Sequence, residues 1–344
     1  MKTHNSLYPQ IYQWDALLAA WYRVRKGRRE QADVLAFEQN LESELIAIQN
    51  DLIWGRFKTG RYHLFQIHEP KPRMVAALPL RDRVVHHALV AALEPIWEPS
   101  FYAHSYACRP RKGTHRCADQ AERMLRRVQR DHGQTYALKA DIASYFASID
   151  HDVMRQLIRR RVRCRQTLAL CDEIIDSAGP GRGLPIGNLT SQLFAGIYLD
   201  ALDRHVKHDL RWRHYIRYQD DFVLLGSDKA QLHVLREHLT DWLRDELRLE
   251  LNRKTAVYPV GGPRGRSLDF VGYRIWPTHR KVRTSSIKRM NRTMRRLQGL
   301  YAAGRIGLPR IQTHIQSWIA HARHASALGL RRWMMGRWAF RRAS

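Results

Sequence analysis

Three aspartates stand where this sequence can best support chemistry. Asp141 ends a strand-like apolar segment that begins at Tyr136, and Asp220 and Asp221 lie between two short apolar runs that predict a hairpin. Carboxylates at such positions can converge on two divalent cations, roughly 3.5–4 Å apart, that activate a hydroxyl and hold a triphosphate. Mg²⁺ favours oxygen ligands of this kind. The pattern therefore indicates metal-dependent phosphoryl transfer, whereas an isolated Asp-Asp pair is typical of a solvated turn.

The segments around these aspartates predict an α+β architecture. Apolar residues recur at helical spacing in the N-terminal part, and short strand-like runs and a wide apolar helical stripe follow. Asp150 is a predicted helix N-cap, and the glycine-rich segment 179–188 predicts a loop before the next helix. After the hairpin we expect a long amphipathic helix, strands over 256–260 and 268–275, and an arginine-rich helical end.

Composition points to a polyanionic partner. Of the 344 residues, 59 are Lys or Arg and 32 are Asp or Glu, and the resulting formal charge of +27 is spread from Arg23 to Arg342. Self-repulsion of this size is relieved when a polyanion neutralises it, and a long basic track suits a nucleic-acid backbone. A merely soluble basic surface is the alternative.

Cysteine spacing and hydropathy argue against two other classes. The four cysteines show neither a CxxC pair nor zinc-type spacing, so they indicate reduced thiols. The N-terminal residues lack an apolar signal core, and no window approaches the roughly 20 apolar residues that span a bilayer. We therefore expect a cytoplasmic protein without a membrane partner.

Several motifs, in order, resemble those of reverse transcriptases. YQDD at 218–221 resembles their YxDD motif, and KADIASYFASID at 139–150 resembles the strand that carries their first metal ligand. GLPIGNLTSQ at 183–192 resembles the loop and helix under the incoming nucleotide and template. Four further motifs of the family have their counterparts beginning at Lys71, Ser105, Leu249 and Asp269. The resemblance covers roughly residues 60–335.

The resemblance implies a right-hand polymerase fold with fingers, a palm whose mixed or antiparallel sheet packs on helices, and a helical thumb. The expected segments are an N-terminal helical extension at 1–59, fingers with the first palm elements at 60–135, mainly palm at 136–275 with a finger insertion at about 151–180, and a basic helical thumb at 276–344. The implied activity is RNA-directed DNA synthesis from dNTPs on a primed template RNA.

The same resemblance implies roles in the active site. Asp141 and Asp220 match the direct ligands of two Mg²⁺ ions, and Asp221 matches the supporting acid. Phe146 matches the bulky steric gate that excludes a ribose 2′-hydroxyl, although an ordinary core aromatic is the alternative. Lys254 matches the lysine that could protonate the leaving pyrophosphate, and a plain salt-bridge lysine is the competing interpretation.

Further residues match motifs that contact the nucleotide or the nucleic-acid strands. Arg73 and Arg81 lie in the motif that contacts the triphosphate, and which of them makes the main contact stays open. The other implied nucleotide-binding residues are Ile186, Gly187 and Gln192. The implied template or primer contacts are Arg109, Arg111, Tyr218, Gly272 and Tyr273. Solvated surface charge is nearly as good an interpretation of Arg111.

The loop motif also favours a subtype. Ile186-Gly187 followed by Ser191-Gln192 is an IG…SQ version, which is characteristic of diversity-generating retroelements, whereas group II intron enzymes typically show QG…SP. The resemblance then implies errors at template adenines, with Ile186, Gln192 and Arg73 as candidate fidelity determinants. It also implies a small, basic, helical accessory protein that assembles as a ring. A group II intron or retron enzyme and a catalytically inactive RNA-binding scaffold stay open as alternatives.

Overall fold

A computed structural model describes residues 3–68, 72–262 and 265–342 of the chain. The helices are α1 (Pro9–Tyr12), α2 (Trp14–Val24), α3 (Ala32–Gln39), α4 (Leu41–Ile53), α5 (Leu80–Trp97), α6 (Thr114–His132), α7 (Tyr145–Ser148), α8 (His151–Arg159), α9 (Arg165–Asp176), α10 (Leu189–Arg204), α11 (Lys229–Leu247), α12 (Thr284–Ala302), α13 (Leu308–Arg323) and α14 (Leu328–Arg337). The strands are β1 (His63–Ile67), β2 (Arg73–Ala77), β3 (Tyr136–Asp141), β4 (His214–Tyr218), β5 (Asp221–Gly226), β6 (Ala256–Pro259), β7 (Leu268–Phe270), β8 (Tyr273–Ile275) and β9 (Arg280–Val282). Lys71, the first residue of one predicted motif, lies outside the described residues.

These elements form two compact units, each assembled from three stretches of sequence. The first comprises Met1–Arg109, Asp141–Arg211 and His238–Arg253, and the second comprises Pro110–Ala140, Trp212–Glu237 and Lys254–Ser344. Helices accompany antiparallel strand pairs in both. The predicted α+β class is therefore confirmed, and the division into extension, fingers, palm and thumb stays a prediction.

Helix α5 is the centre of the first unit. It packs against α1, α2 and α10. Its predicted apolar stripe is buried, as are Leu17 and Trp21 of α2 and Phe194 and Tyr198 of α10. Full burial of each such side chain contributes roughly 1.5–3 kcal/mol. The stripe is wide because neighbouring helices cover α5 on several sides.

Asp150 is the predicted N-cap, and the structure confirms it. Its Oδ1 accepts hydrogen bonds from the backbone amides of Asp152 at 3.1 Å and Val153 at 3.2 Å, and Oδ2 lies 2.8 Å from Arg248 Nη1. Burial raises the pKa of Asp150, but the hydrogen bonds from Arg248 and the two amides outweigh it and hold the pKa below its ordinary value. The carboxylate thus joins the start of α8 to a distant segment.

We expect Asp150→Ala to lower the free energy of unfolding by about 1–3 kcal/mol, because it removes the cap and the charged partner of Arg248. Asp150→Asn should lose less, since Asn also caps helices. Because the folded-state pKa is lowered, the charge-dependent part is present above the unfolded pKa of about 3.9 and is lost as pH falls through the folded pKa. Urea titrations from pH 7 to pH 3 measure both effects. Equal losses in the two variants would mean that capping contributes nothing.

The second unit contains a four-stranded sheet in the order β4-β5-β3-β6. Strand β4 pairs antiparallel with β5, and β3 pairs antiparallel with β6. Helix α6 packs against β4 and β5, and Ala121, Leu125 and Val128 are among its buried residues. The sheet fixes the ends of its strands, where the candidate catalytic residues stand.

One predicted strand is wrong in its extent. Residues 268–275 form two strands, β7 and β8, joined by a turn in which Val271 has φ +43° and Gly272 has φ +90°. Strand β8 then pairs with β9. The apolar pattern alone predicts one strand, because only Gly272 signals the positive φ that reverses the chain, whereas the resemblance implies a turn at Gly272 and Tyr273.

The C-terminal helices α12, α13 and α14 share an apolar cluster that also includes Val282 of β9. Met290, Met294 and Leu297 of α12 meet Trp318 of α13 and Met334 of α14 within this cluster. The predicted helical character of this end is therefore confirmed. None of the helices within the described ranges is long and apolar enough to cross a membrane.

Candidate active site

Asp220 and Asp221 lie at the tip of the β4–β5 hairpin. Tyr218 pairs with Asp221 across the strands, so Gln219 and Asp220 form a two-residue turn in which Gln219 has φ +59°. The strand residues behind the tip are buried, whereas Tyr218, Asp220 and Asp221 are half-buried. The hairpin therefore presents two adjacent carboxylates at the end of a rigid sheet, as the sequence predicts.

Lys139 of β3 provides a counter-charge at this tip. Its Nζ lies 3.0 Å from Asp221 Oδ1, and about a quarter of each side chain is exposed. Strand β3 lies next to β5 in the sheet, which explains why the two residues meet. The ammonium group offsets part of the negative charge of the hairpin tip.

Asp141 is the last residue of β3 and the first residue of a stretch of the first unit, and other residues of that same unit hold it. Asn252 N donates to Asp141 O at 2.7 Å, and Asn252 Nδ2 lies 3.4 Å from Asp141 Oδ2. Ile142 forms an isolated antiparallel bridge with Leu251. Asn252 orients the Asp141 carboxylate, a role that the sequence analysis missed although Asn252 lies in the motif beginning at Leu249.

The carboxylates suit Mg²⁺ by their chemistry. In the described ranges, no group of three or more His, Cys, Asp or Glu side chains is arranged so that it could hold a metal ion. The adjacent Asp220 and Asp221 nevertheless supply the oxygen donors that Mg²⁺ prefers, and Mg²⁺ commonly completes its shell with water and substrate phosphates. The residues present therefore fit a magnesium site that is completed by substrate.

The two candidate triphosphate arginines differ in their surroundings. Arg81 lies 2.5 Å from Asp51 Oδ2 and 3.2 Å from Asp82 Oδ1, so acids of the chain already neutralise its guanidinium. Arg73, in β2, is exposed. Arg73 is therefore the better placed of the two to bind phosphate, a distinction that sequence alone left open.

The predicted nucleotide loop packs directly on β2. Ala76 N donates to Ile186 O at 2.8 Å. Gly187 has φ +124°, and a Cβ added there would lie 2.9 Å from Val75 Cγ1 and 3.1 Å from Ala76 O. Gln192 is exposed on the first turn of α10. The structure thus brings Ile186 and Gly187 against the hairpin that carries Arg73.

We expect Gly187→Ala to lower the free energy of unfolding by about 1–3 kcal/mol more than Gly181→Ala, because only the former pushes a methyl group against β2. Gly181 is the matched control, since it has φ +74° and open space around it. Both variants carry the backbone cost of a positive φ. Urea denaturation of the two proteins measures the difference. Equal stabilities would show that the loop moves away from β2 without cost.

Phe146 is partly exposed, whereas its neighbour Tyr145 is 2% exposed. The Tyr145 hydroxyl donates to Ala195 O at 2.5 Å, so Tyr145 anchors helix α7 in the core. Phe146 O accepts from Leu184 N at 2.7 Å, which places the helix beside the glycine-rich loop. Tyr145 therefore has the burial of an ordinary core aromatic residue, which was the alternative interpretation of Phe146, whereas Phe146 does not.

Arg109 and Arg111 have different surroundings in their respective units. Arg109 is paired with both carboxylate oxygens of Glu98, and its Nη1 donates to Tyr102 O at 2.7 Å and Ser105 O at 2.9 Å. Only 9% of its side chain is exposed, so it braces the chain after α5. Arg111 is exposed. Of the two predicted template contacts, Arg111 is the one available to a nucleic-acid phosphate.

The turn that carries Gly272 and Tyr273 contains an aromatic cluster. Tyr273 is fully buried, and its hydroxyl lies 2.9 Å from His115 Nδ1 and 3.1 Å from His321 Nδ1. A Cβ on Gly272 would approach His321 Cε1 to 3.4 Å. Tyr273 therefore anchors the turn, and its primer contact stays a prediction. Lys254 is exposed just before β6.

The sequence also matches a known family of proteins. The model of the family described as reverse transcriptase (RNA-dependent DNA polymerase) matches residues 66–275, more than half of the chain. Protein YkfC of Escherichia coli (strain K12) is 26% identical over 267 residues, which cover 64% of this chain and 69% of YkfC. Group II intron-encoded protein LtrA of Lactococcus lactis subsp. cremoris is 21% identical over 307 residues, which cover 69% of this chain and 49% of LtrA.

Solved structures add a distant likeness. A telomerase from Candida albicans in complex with a fragment of telomeric RNA has a TM-score of 0.49 and 14% identity, and covers 78% of this chain and 54% of its own. This chain thus spans about half the length of LtrA and of that telomerase. The predicted RNA-directed DNA polymerase class rests on the family match over residues 66–275. The chain belongs to the reverse transcriptase (RNA-dependent DNA polymerase) family.

Proposed function

We propose that the protein copies a retroelement template RNA into cDNA. The observation that carries this proposal is the carboxylate pair at the β4–β5 tip, in a chain whose residues 66–275 match the reverse transcriptase family. A tight hairpin that holds two half-buried acids side by side concentrates negative charge, and a divalent cation relieves that charge. An RNA-binding scaffold without chemistry has no need for such a pair.

Asp141, Asp220 and Asp221 are the proposed magnesium ligands. Two bound Mg²⁺ ions would supply activation of the primer hydroxyl and stabilisation of the triphosphate charge. Asn252 keeps the Asp141 carboxylate oriented, and Lys139 offsets charge at Asp221. These contacts hold the acids in place before substrate arrives.

The remaining proposed roles act on the substrates. Arg73, exposed on β2, would grip the triphosphate with its guanidinium fork. Lys254 would donate a proton to the leaving pyrophosphate. Phe146 would exclude ribonucleotides, and Arg111 would hold the template backbone. Ile186, Gly187 and Gln192 would border the nascent base pair.

For the subtype, we propose a diversity-generating retroelement enzyme that makes errors at template adenines. Ile186-Gly187 and Ser191-Gln192 support this subtype. Ile186 O accepts from Ala76 N of β2, Ile186 is half-buried and Gln192 is exposed, so both side chains stand where they would influence how tightly template and nucleotide are held. Looser contact lowers discrimination exponentially with the free energy lost. A basic, helical, ring-forming accessory protein is the proposed partner.

The decisive experiment sequences cDNA made from a defined primed RNA with Mg²⁺, with and without the candidate accessory protein. Errors concentrated opposite template adenine support the diversity-generating subtype. Uniformly faithful cDNA contradicts that subtype and keeps the polymerase. We expect a chelator to abolish the product, because the proposed chemistry needs divalent ions. A scaffold would bind RNA equally well with and without the metal. No cDNA with partner and native template present would contradict the polymerase itself.

A group II intron enzyme is the second candidate, and one observation favours it. LtrA, a group II intron-encoded protein, matches over 69% of this chain. The two candidates predict different products. Faithful cDNA and binding to a structured intron RNA in preference to an unstructured RNA of equal length would favour the intron type.

A further inference from the structure

A row of polar side chains closes the end of helix α10 in the first unit. The helix continues directly into a π-helical turn, His205–Asp209, in which Leu210 N donates to His205 O at 3.0 Å. His205 is 8% exposed, and its Nδ1 lies 2.9 Å from Asp209 Oδ2. Its Nε2 lies 2.9 Å from Nε2 of His238 on α11. Turns of this kind often mark functional positions, and this one lies outside the motifs that resemble reverse transcriptases.

The His205 ring is fixed from two sides. The Trp242 ring lies parallel to it, with ring centroids 4.3 Å apart and an interplanar angle of 2°. Asp209 accepts the Nδ1 proton, because an ionised carboxylate can only accept. A neutral His205 therefore keeps its lone pair on Nε2, the atom that faces His238. Metal-binding histidines have this same support, in which a carboxylate holds the far ring nitrogen and fixes the tautomer.

The two imidazoles meet through their Nε2 edges. The ring centroids of His205 and His238 are 5.2 Å apart and the interplanar angle is 25°, while the Nε2 atoms are 2.9 Å apart. Zn²⁺ binds imidazole nitrogen at about 2.0–2.1 Å, so two nitrogen ligands of a tetrahedral ion stand roughly 3.3 Å apart. The pair therefore needs to open by only a few tenths of an ångström to bind such an ion. His238, which is exposed, can make that adjustment.

The donor atoms select a class of ion. Imidazole nitrogen suits Zn²⁺, Cu²⁺ and Ni²⁺, whereas Mg²⁺ prefers oxygen ligands. Across the part of the chain that the structure describes, no group of three or more His, Cys, Asp or Glu side chains could hold a metal ion. The two imidazoles would therefore be the protein ligands, and water would complete the shell from the exposed side of His238. This donor set differs from that of the proposed magnesium site.

We propose that His205 Nε2 and His238 Nε2 bind a divalent transition-metal ion of the Zn²⁺ class, with Asp209 as the positioning residue for His205. The ion takes the place of the proton between the two nitrogens, and a neutral His238 then carries its proton on Nδ1. The bound ion joins the end of α10 to α11. Because the unfolded chain lacks the preformed pair, binding also stabilises the folded protein. The proposal does not depend on polymerase activity.

Calorimetric titration of the full chain with Zn²⁺, in a buffer without chelator, tests this inference. His238→Gln should weaken Zn²⁺ binding roughly tenfold or more, since it removes one of the two protein ligands. Asp209→Ala should weaken it about 10- to 100-fold, as loss of the partner behind a metal-binding histidine does. His233→Gln is the matched control, because it changes another histidine of α11, and its Zn²⁺ affinity should stay within about twofold of that of the parent.

Thermal unfolding gives a second measurement of the same site. Zn²⁺ should raise the Tm of the parent and of the His233→Gln protein, and should leave the Tm of the His238→Gln protein unchanged. Equal Zn²⁺ affinity in the parent and in His238→Gln would overturn the inference, because other histidines would then hold the ion. A parent protein whose Tm does not respond to Zn²⁺ would also overturn it, and His205 and His238 would then form a hydrogen-bonded pair only.

Discussion

Asp220→Asn is expected to reduce cDNA synthesis by about 10³-fold or more, which corresponds to several kcal/mol of lost transition-state stabilisation. The change keeps the size of the side chain and removes the charge that a divalent cation needs. Asp221→Asn should also reduce cDNA synthesis, but by a smaller factor. Lys139 Nζ lies 3.0 Å from Asp221 Oδ1 and already offsets part of the charge of this carboxylate. Primer extension at saturating dNTP and Mg²⁺ measures both.

Two controls make this prediction specific. Asp245→Asn removes an exposed carboxylate that pairs with Arg244 on α11, and it should leave synthesis within about twofold of the parent, as surface changes generally do. The RNA affinity of the Asp220→Asn protein should stay within about twofold of that of the parent, because the folded basic surface is unchanged. Substantial synthesis by an Asp220→Asn, Asp221→Asn double variant would show that the hairpin tip is not the catalytic centre.

Phe146→Ala is expected to lower the discrimination between dNTP and rNTP by about 10²-fold, because a pocket opened by a large side chain no longer excludes the 2′-hydroxyl. The loss should come from faster rNTP incorporation, with kcat/KM for dNTP changed much less. Single-nucleotide extension with matched dATP and ATP on a template uracil measures the ratio.

Tyr145→Phe is the matched control for this change. It removes the hydroxyl that anchors α7 to Ala195 O and keeps both aromatic rings. A loosened α7 would lower dNTP incorporation and leave sugar discrimination intact, whereas loss of a steric gate does the reverse. If Phe146→Ala left the discrimination between dNTP and rNTP unchanged, Phe146 would be an ordinary aromatic residue and not a steric gate.

Local patterns in the sequence were enough for much of the fold. The Asp150 cap, the apolar stripe of α5 and the hairpin with Gln219 and Asp220 at its tip follow from interactions between residues close in the chain. A cap needs only the next two or three amides, and a stripe needs only helical periodicity. The paired acids at Asp220 and Asp221 were recognisable for the same reason, because a turn and its flanking strands are contiguous.

Only the tertiary structure decided which charged residues are available to bind substrate. The motifs imply similar roles for Arg109 and Arg111, and for Arg73 and Arg81. In the structure, Glu98 forms an ion pair with Arg109, and Asp51 forms one with Arg81. The partners of an arginine are set by residues far along the chain, which no local pattern encodes.

The same reason explains what the sequence left unseen. Asn252 reaches Asp141 across 111 residues, and His86 reaches Thr190 across 104. The sequence by itself determined the elements, the acids at their ends and the basic charge that calls for a polyanion. The three-dimensional packing decided which side chains hold the acids in place and which face a ligand, since those contacts exist only between segments that the fold brings together.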